Sequence, residues 1–337
     1  MGRPTIKDVA IAAGVSLGTA SRVINAQSNV NPTIRARVKG AIAKLGYEPD
    51  TVAQSMRRGN TRTIGVLVRD ITIPSLAGFV RAVQSQLAEQ GYEPLIACSD
   101  DRKDRELEVM QLFERRRVDG LIMLSSSETD PDLVEARSSY SAPVVLFDRT
   151  TPEKFDSVLV QHFEGMHTAV THLLRLGHKR IALITGTDSV YPGRERVRGY
   201  GAAYREAGLA VPTGLVRTRG FSSESAFIEV TDLLNLSAPP TAIVVGGISM
   251  ISGAIRAIRS RSLRVPQDIS LIGAADSDLM RFLDPPITTV DWSYDEIGRT
   301  AARLLLDRLQ NSQLPVRRVT FPTEFIIRGS CAEPQSP

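Results

Sequence analysis

Residues 5–25 read Thr-Ile-Lys-Asp-Val-Ala-Ile-Ala-Ala-Gly-Val-Ser-Leu-Gly-Thr-Ala-Ser-Arg-Val-Ile-Asn, two short helical patterns parted at Gly14. Thr5 is placed to cap the first, with Asp8 three positions on reaching back toward the Thr5 N–H as a shorter form of the capping-box acid. Val9, Ala10 and Ala13 fall on one face. Gly14 takes a left-handed backbone without a Cβ penalty, and Ser16 offers a side-chain oxygen to start the second helix. A break of this length is the turn of a helix-turn-helix, whose second helix lies in the major groove of DNA. In that helix Ala20, Val23 and Ile24 face inward. Leu17, Gly18, Ser21, Arg22 and Asn25 are left toward solvent or a groove, and Arg22 is the one long donor among them.

The charge distribution agrees with this reading. Residues 1–62 hold ten of the 41 Lys/Arg and three of the 37 Asp/Glu, so the basic excess is confined to this segment and the remainder is slightly acidic. Such segregation favours a polyanion partner for the N-terminal piece. A chain of 337 residues predicts two or three folding units. Met-Gly-Arg-Pro-Thr-Ile-Lys at the start has no apolar signal-peptide core, and no run approaches the ~18 apolar residues of a membrane span, so a cytoplasmic protein is expected. Cys98 and Cys331 are too few for a disulfide framework or a cysteine metal site. His162, His167 and His172 recur every five residues, which spreads them around a helix. They are expected as exposed or hydrogen-bonded histidines, with no metal and no cofactor.

Asn31 as N-cap and Pro32 at the first position announce a third helix with Ile34, Val38, Ile42 and Leu45 in one stripe. These three helices make a headpiece over residues 1–49. Residues 50–62 form a short amphipathic hinge and linker, with Val52, Ala53 and Met56 as the apolar positions of its helical part. From Ile64 the pattern alternates. Strand-like runs at 64–68, 95–98, 120–124, 144–147, 158–160, 181–185, 242–245 and 269–272 are separated by helical periodicity at 76–90, 104–116, 164–176, 195–207, 223–235, 249–260 and 294–310. The fold class is therefore α/β: an all-α helix-turn-helix headpiece followed by parallel sheets with helices on both faces. Strand runs on both sides of a midpoint near Val160 predict two doubly wound sheets. Arg115-Arg116-Arg117 closes one helix, where cations suit the dipole.

Thr-Ile-Lys-Asp-Val-Ala, Ala-Gly-Val-Ser and Ser-Arg-Val-Ile-Asn, then Leu-Gly-Tyr-Glu-Pro (45–49) and Arg-Thr-Ile-Gly-Val-Leu-Val (62–68), closely resemble the LacI/GalR family of bacterial transcription regulators. Val-Val-Leu-Phe-Asp-Arg (144–149), His-Leu-Leu-Arg-Leu-Gly-His-Lys-Arg-Ile-Ala (172–182), Arg-Glu-Arg-Val-Arg-Gly-Tyr (194–200), Pro-Thr-Ala-Ile (240–243) and Asp-Pro-Pro-Ile-Thr-Thr-Val (284–290) continue the likeness. The resemblance implies a hinge helix that orders on DNA and a core over residues 63–337 like the periplasmic sugar-binding proteins. It implies three crossings between lobes, near 160–163, 289–293 and 322–326. Lobe 1 then takes about 63–160 and 293–322, and lobe 2 about 163–289 and 326–337. It also implies a repressor that binds a palindromic operator as a dimer under control of a small effector. The C-terminal Ser-Cys-Ala-Glu-Pro-Gln-Ser-Pro carries no heptads, so a dimer is expected in place of a tetramer. An activator of the same family is the alternative.

By the resemblance, Leu17, Gly18 and Arg22 read bases. Arg22 can present two parallel donors to a guanine, worth ~1–3 kcal/mol of discrimination. Leu17 offers apolar contact alone and Gly18 has no side chain, a departure from the larger polar residues usual there. Thr5, Ser16, Thr19, Ser21, Asn25 and Tyr47 are the phosphate contacts. Ala53, Gln54 and Met56 belong to the hinge, with Met56 as the apolar wedge in the minor groove.

Ligands of open α/β sheets bind beyond the carboxyl ends of the strands, here the crevice between lobes. The candidates are Asp70, Ser75, Asp100, Ser125, Asp148, Arg149, Arg194, Arg196, Gly247 and Asp276, with Arg194 foremost because the resemblance places a ligand-binding arginine on its loop. Where many family members carry Asn-Asp, this chain has Gly247-Ile248. Two acids become Ala275-Asp276, and Asp-Asn near the lobe crossing becomes Gln161-His162. Arg69, Arg149 and Arg194 near strand ends suit a carboxylate or phosphate, so an anionic metabolite such as a sugar acid is expected.

An enzyme or a periplasmic solute-binding protein on the same core fold is the competing reading. The sequence has no Gly-x-Gly-x-x-Gly after a strand, no phosphate-loop Gly-Lys-Ser/Thr, no Gly-x-Ser-x-Gly and no metal-ligand pair. In gel-shift titrations Met56→Ala is expected to weaken operator binding while effector binding stays intact; unchanged operator affinity removes the wedge.

Overall fold

The computed structural model describes residues 4–24, 29–47, 60–151 and 155–335. The chain divides into two compact units, Met1–Thr61 and Arg62–Pro337.

In the first unit, side chains set the ends of helices α1 (Ile6–Ala13), α2 (Leu17–Ile24) and α3 (Pro32–Leu45). The Asp8 carboxylate accepts from both the N–H and the hydroxyl of Thr5 at 2.7 Å. Gly14 ends α1 at φ +59°, in the left-handed region where glycine carries no steric penalty. Ser16 Oγ accepts the Thr19 N–H at 3.2 Å, and Asn31 Oδ1 accepts the Thr33 N–H at 2.9 Å. Val9, Ala13, Val23, Val38 and Ala41 make a small core, onto which Ile34, Ile42, Leu45 and Tyr47 pack. Arg37 of α3 donates to the Ala13 and Gly14 carbonyls at 2.5 and 3.1 Å, satisfying acceptors that the end of α1 leaves open.

In the second unit, strands β1 (Thr63–Val68), β2 (Glu93–Cys98), β3 (Gly120–Met123), β4 (Val144–Phe147) and β5 (Asp156–Val160) alternate with helices α4 (Pro74–Ala88), α5 (Lys103–Arg115) and α6 (Pro131–Ser138). Next come α7 (His162–Arg175), β6 (Ile181–Ile184), α8 (Tyr191–Glu206), β7 (Val216–Arg217), α9 (Ser223–Leu234), β8 (Ala242–Val245), α10 (Ile248–Ser260), β9 (Ser270–Ala274), α11 (Asp278–Phe282) and β10 (Thr288–Asp291). Helix α12 (Tyr294–Gln310) and strands β11 (Arg318–Phe321) and β12 (Glu324–Ile326) complete it. The first sheet runs β11-β5-β4-β3-β1-β2, all parallel. The second runs β12-β10-β9-β8-β6-β7, parallel except for β12, where Ile326 lies antiparallel opposite Thr289. Each sheet with its helices is one lobe. The chain passes between them after β5, between β10 and α12, and between β11 and β12.

Strand alternation explains the layering. Ile64, Val66 and Val68 of β1 join the cluster containing Phe79 and Val83 of α4, whereas Leu67 points the other way onto Phe113 of α5. In β6, Ile181 and Leu183 face Tyr200 of α8, and Ala182 and Ile184 face Val230 of α9 and Ile251 of α10. Apolar residues at consecutive positions are what a strand buried on both faces requires. Helices α6 and α11 were not foreseen. α6 has Leu133 and the buried cation Arg137 as its inner positions, so it carries no apolar stripe, and α11 has five residues. Helix α8 starts at Tyr191, four residues earlier than the sequence pattern, with Pro192 in its first turn.

Helices α9 and α10 meet at Gly253, where a Cβ would lie 1.9 Å from the Ser223 carbonyl oxygen. Overpacking at such a contact costs about 1–3 kcal/mol. Gly253→Ala is expected to lower the melting temperature of the core, and an unchanged melt refutes the close-packing argument.

Candidate DNA-binding and effector sites

Burial of Ala20 and Val23 fixes the rotation of α2 and turns Leu17, Gly18 and Arg22 outward, with Leu17 45% exposed. Thr19 and Ser21 are half-buried beside them. Ser16 and Thr19 share a hydroxyl contact at 2.9 Å, so both are held at the helix start where backbone N–H groups point outward. Thr5 is exposed with its hydroxyl committed to Asp8, and Tyr47 packs on the headpiece core. Asn25, Ala53, Gln54 and Met56 lie outside the described residues.

Between the lobes lies a cleft at the carboxyl ends of both sheets. Just past β4, Asp148 adopts a left-handed backbone at φ +53°, a conformation that Asp tolerates better than most residues, and it turns its carboxylate into the cleft. His162, the first residue of α7, donates Nε2–H to Asp148 at 2.8 Å, and Arg196 Nη2 donates to His162 Nδ1 at 3.2 Å. This pairing requires the neutral imidazole with its proton on Nε2. All three residues are buried, at 8, 2 and 5% exposure. Burial pushes the His162 imidazole below its ordinary value against the pull of Asp148. Burial opposes the Asp148 carboxylate too, but His162, Arg149 and Arg196 outweigh it and hold it below the usual carboxylate range. Burial lowers the Arg196 guanidinium to about 10, so it stays protonated at neutral pH.

Arg149 donates Nε to the Ser125 carbonyl at 2.5 Å and Nη1 to the Asp148 carbonyl at 2.8 Å. Arg69 pairs with Asp101 at 3.4 Å. Rings finish the walls. Phe147 stacks on Phe79 at 4.4 Å, Trp292 meets His162 edge-on at 5.2 Å, and Phe221 lies under Arg69 and Arg196 at 5.2 and 5.9 Å. Among the described residues no cluster of His, Cys, Asp and Glu could hold a metal ion, and no helix is long and apolar enough to cross a membrane.

Residues 5–50 match the bacterial regulatory proteins of the lacI family, and residues 170–331 match a periplasmic binding protein-like domain. The chain is 36% identical over 332 residues to the ribose operon repressor of Escherichia coli (strain K12), covering 97% of this chain and 99% of that protein. The chain belongs to the LacI family. Its relatives include the HTH-type transcriptional repressor CytR of Escherichia coli (strain K12), 33% identical over 328 residues, 97% of this chain and 96% of that one. Over 98% of its length the fold superposes on the whole of a Lac repressor chain, from the dimer bound to operator and the anti-inducer ONPF, with a TM-score of 0.87 and 28% identity. The protein is thus a LacI-family transcriptional repressor and not an enzyme.

In this LacI-family core, Ser75, Asp148, Arg149, Arg196 and Gly247 come together on the cleft. The other candidates do not join them. Asp70 and Asp100 stand on the wider mouth, where Asp70 accepts from the N–H and hydroxyl of Thr72 at 2.8 and 2.7 Å. Ser125 is behind the wall, donating to Glu106 at 2.5 Å and accepting from Arg137 at 2.8 Å. Asp276 holds Arg281 and Arg328 at 2.8 and 2.6 Å. Arg194 is turned away and pairs with the buried Glu128 of lobe 1 at 2.5 Å, while Glu128 also accepts the Tyr191 N–H at the start of α8 at 2.9 Å. Phe221, Trp292 and Tyr294 line the cleft unforeseen, because the strands they follow leave no apolar run in the sequence: β7 is two residues long and β10 is Thr-Thr-Val-Asp. His162 was noted as a departure and not as a cleft residue.

A histidine held neutral takes up its proton less readily folded than unfolded, so the core is expected to lose stability as pH falls below the unfolded value of 6.5. In denaturant titrations from neutral to mildly acid pH, His162→Gln, which does not titrate, should show a flatter fall; an equal slope removes His162 from the linkage.

Proposed function

We propose that this repressor acts in the bacterial cytoplasm as a homodimer on a palindromic operator, and that an anionic metabolite in the interlobe cleft sets its affinity for DNA. One observation carries the effector reading. Arg196 is buried at the cleft with a neutral ring nitrogen as its hydrogen-bond partner, while the hydrogen bonds of Arg149 go to backbone carbonyls. With Arg69 these make three guanidiniums against the two carboxylates Asp101 and Asp148. Such a cleft keeps one positive charge for a ligand, and charge-assisted bonds from arginine suit carboxylate or phosphate. The dimer follows the Lac repressor dimer that the fold resembles, and two-fold symmetry in the protein matches a palindrome in the DNA.

The effector works by binding the lobes better in one relative arrangement than another, since a ligand indifferent to the two shifts nothing. Arg196 is on lobe 2 and Asp148 and Arg149 on lobe 1, so a ligand touching all three is sensitive to lobe spacing. Arg22, the phosphate anchors and the hinge then share the reading of the operator.

Arg196→Met is expected to abolish the effect of the effector on operator binding. Arg194→Met should keep the response. Operator titrations with and without effector check both, and a lost response in Arg194→Met with a normal one in Arg196→Met overturns the assignment.

A further inference from the structure

Resting on the reading of the cleft as an anion site, we propose that the effector is a carboxylate with an apolar ring-shaped body, an aromatic or alicyclic acid, in place of a polyhydroxylated sugar acid. The two walls of the cleft differ in chemistry. Lobe 1 supplies every charged group but Arg196, namely Arg69, Asp101, Asp148 and Arg149, together with Ser75 and, at the start of α12, Tyr294, set among Ile73, Leu76, Leu124 and Phe147. From lobe 2 come Arg196, Pro192, Phe221, Gly246, Gly247, Ile248 and Ala275, and at the crossing just after β10 stands Trp292 with its indole N–H donor, so among the described residues this side lines the cleft with no carboxylate or hydroxyl.

A sugar presents hydroxyls all around its ring edge. Each is a donor and an acceptor, and one buried without a partner forfeits its hydration. On the lobe 2 wall such hydroxyls would meet hydrocarbon and bare backbone. The lobe 1 carboxylates each already hold one partner, Asp148 with His162 and Asp101 with Arg69. What the cleft holds in surplus is donors that are also cations, and a carboxylate uses those without needing acceptors in return.

The lobe 2 wall is also shaped for a flat body. A Cβ on Gly247 would lie 3.2 Å from the Phe221 ring, so that ring packs close over backbone with no side chain between. With the Arg69 and Arg196 guanidiniums over the same ring at 5.2 and 5.9 Å, aromatic carbon and cations share one wall. A ring with a carboxylate on its edge matches both features: its apolar body packs against the Phe221 side of the cleft and its charge reaches the guanidiniums.

The test uses the full-length repressor with four probes, benzoate, cyclohexanecarboxylate, gluconate and D-ribose, read by thermal shift and isothermal titration and repeated on Arg196→Met. At least one ring acid is expected to raise the melting temperature and bind about tenfold or more tighter than gluconate, with binding lost in Arg196→Met. Gluconate binding tighter than both ring acids overturns the inference and leaves the anion reading standing. Ribose binding while all three anions fail overturns both. Failure of both ring acids at millimolar concentration overturns the inference, as does ring-acid binding unaltered in Arg196→Met.

Discussion

A single run of buried hydrogen bonds, Arg196 to His162 to Asp148, ties the two lobes together and dictates the chemistry of everything around it. Asp148 follows a strand of the first sheet, whereas His162 and Arg196 stand on helices packed against the second. Removed from water, a carboxylate and a guanidinium are costly unless paired, and the imidazole pairs with both by donating from one nitrogen and accepting on the other. An imidazolium would set two donors face to face against Arg196. The neutral ring is therefore a condition of the closed arrangement. Trp292 edge-on to His162 and Phe221 beneath Arg196 shield the same run from solvent. Separating the lobes hydrates these groups, so lobe geometry and the electrostatics of the cleft belong to one equilibrium.

That coupling gives the cleft its asymmetry. Lobe 1 places its charged groups on the loops after β1, β2 and β4, where each finds a partner on the same lobe or in His162. Lobe 2 contributes one cation on a wall of glycine, alanine and ring carbon. For a ligand that carries a negative charge, such a cleft favours the charge toward Arg196 and Arg149 and the apolar surface toward Phe221. The orientation is set before any ligand-specific contact is considered.

Much of the fold was legible because burial on both faces leaves a plain signature. β6 and β8 are unbroken apolar runs, β1 and β9 are apolar after a first Thr or Ser, and the headpiece announces itself through Asp8, Gly14, Ser16 and Asn31, each of which performs the capping task its side chain or backbone suits. What escaped detection has equally physical causes. β11 alternates exposed with half-buried positions, β12 has three residues and none fully buried, β7 is two residues long, and α6 buries the cation Arg137 where a stripe would show an apolar residue. The Arg37 closure of α1 joins residues more than twenty positions apart and leaves no local trace. At the cleft, proximity to a strand end selected Asp148, Arg149 and Gly247 but could not separate them from Ser125 and Asp276, whose partners, Glu106 and Arg328, come from distant elements.

Arg194 and Arg196 show where the sequence held more than position alone reveals. Two residues apart on a helix are separated by about 200°, so at most one of them faces a given wall. The buried positions of α8 are Pro192, Gly193, Arg196, Gly199, Tyr200, Gly201, Ala203 and Tyr204, and Arg196 fits their three-to-four-residue repeat while Arg194 falls on the other side. A cation in phase with Tyr200 and Ala203 has to be buried, and a buried cation needs a reason; the cleft supplies it. Arg194, out of phase, is left for the surface of the helix, where Glu128 from the other lobe receives it and accepts the Tyr191 N–H as well. The helix N-terminus that lacks a cap of its own is thus capped across the lobe boundary, and the two arginines serve the same closed arrangement from opposite faces, Arg194 by holding the helix start and Arg196 by holding the charge of the cleft.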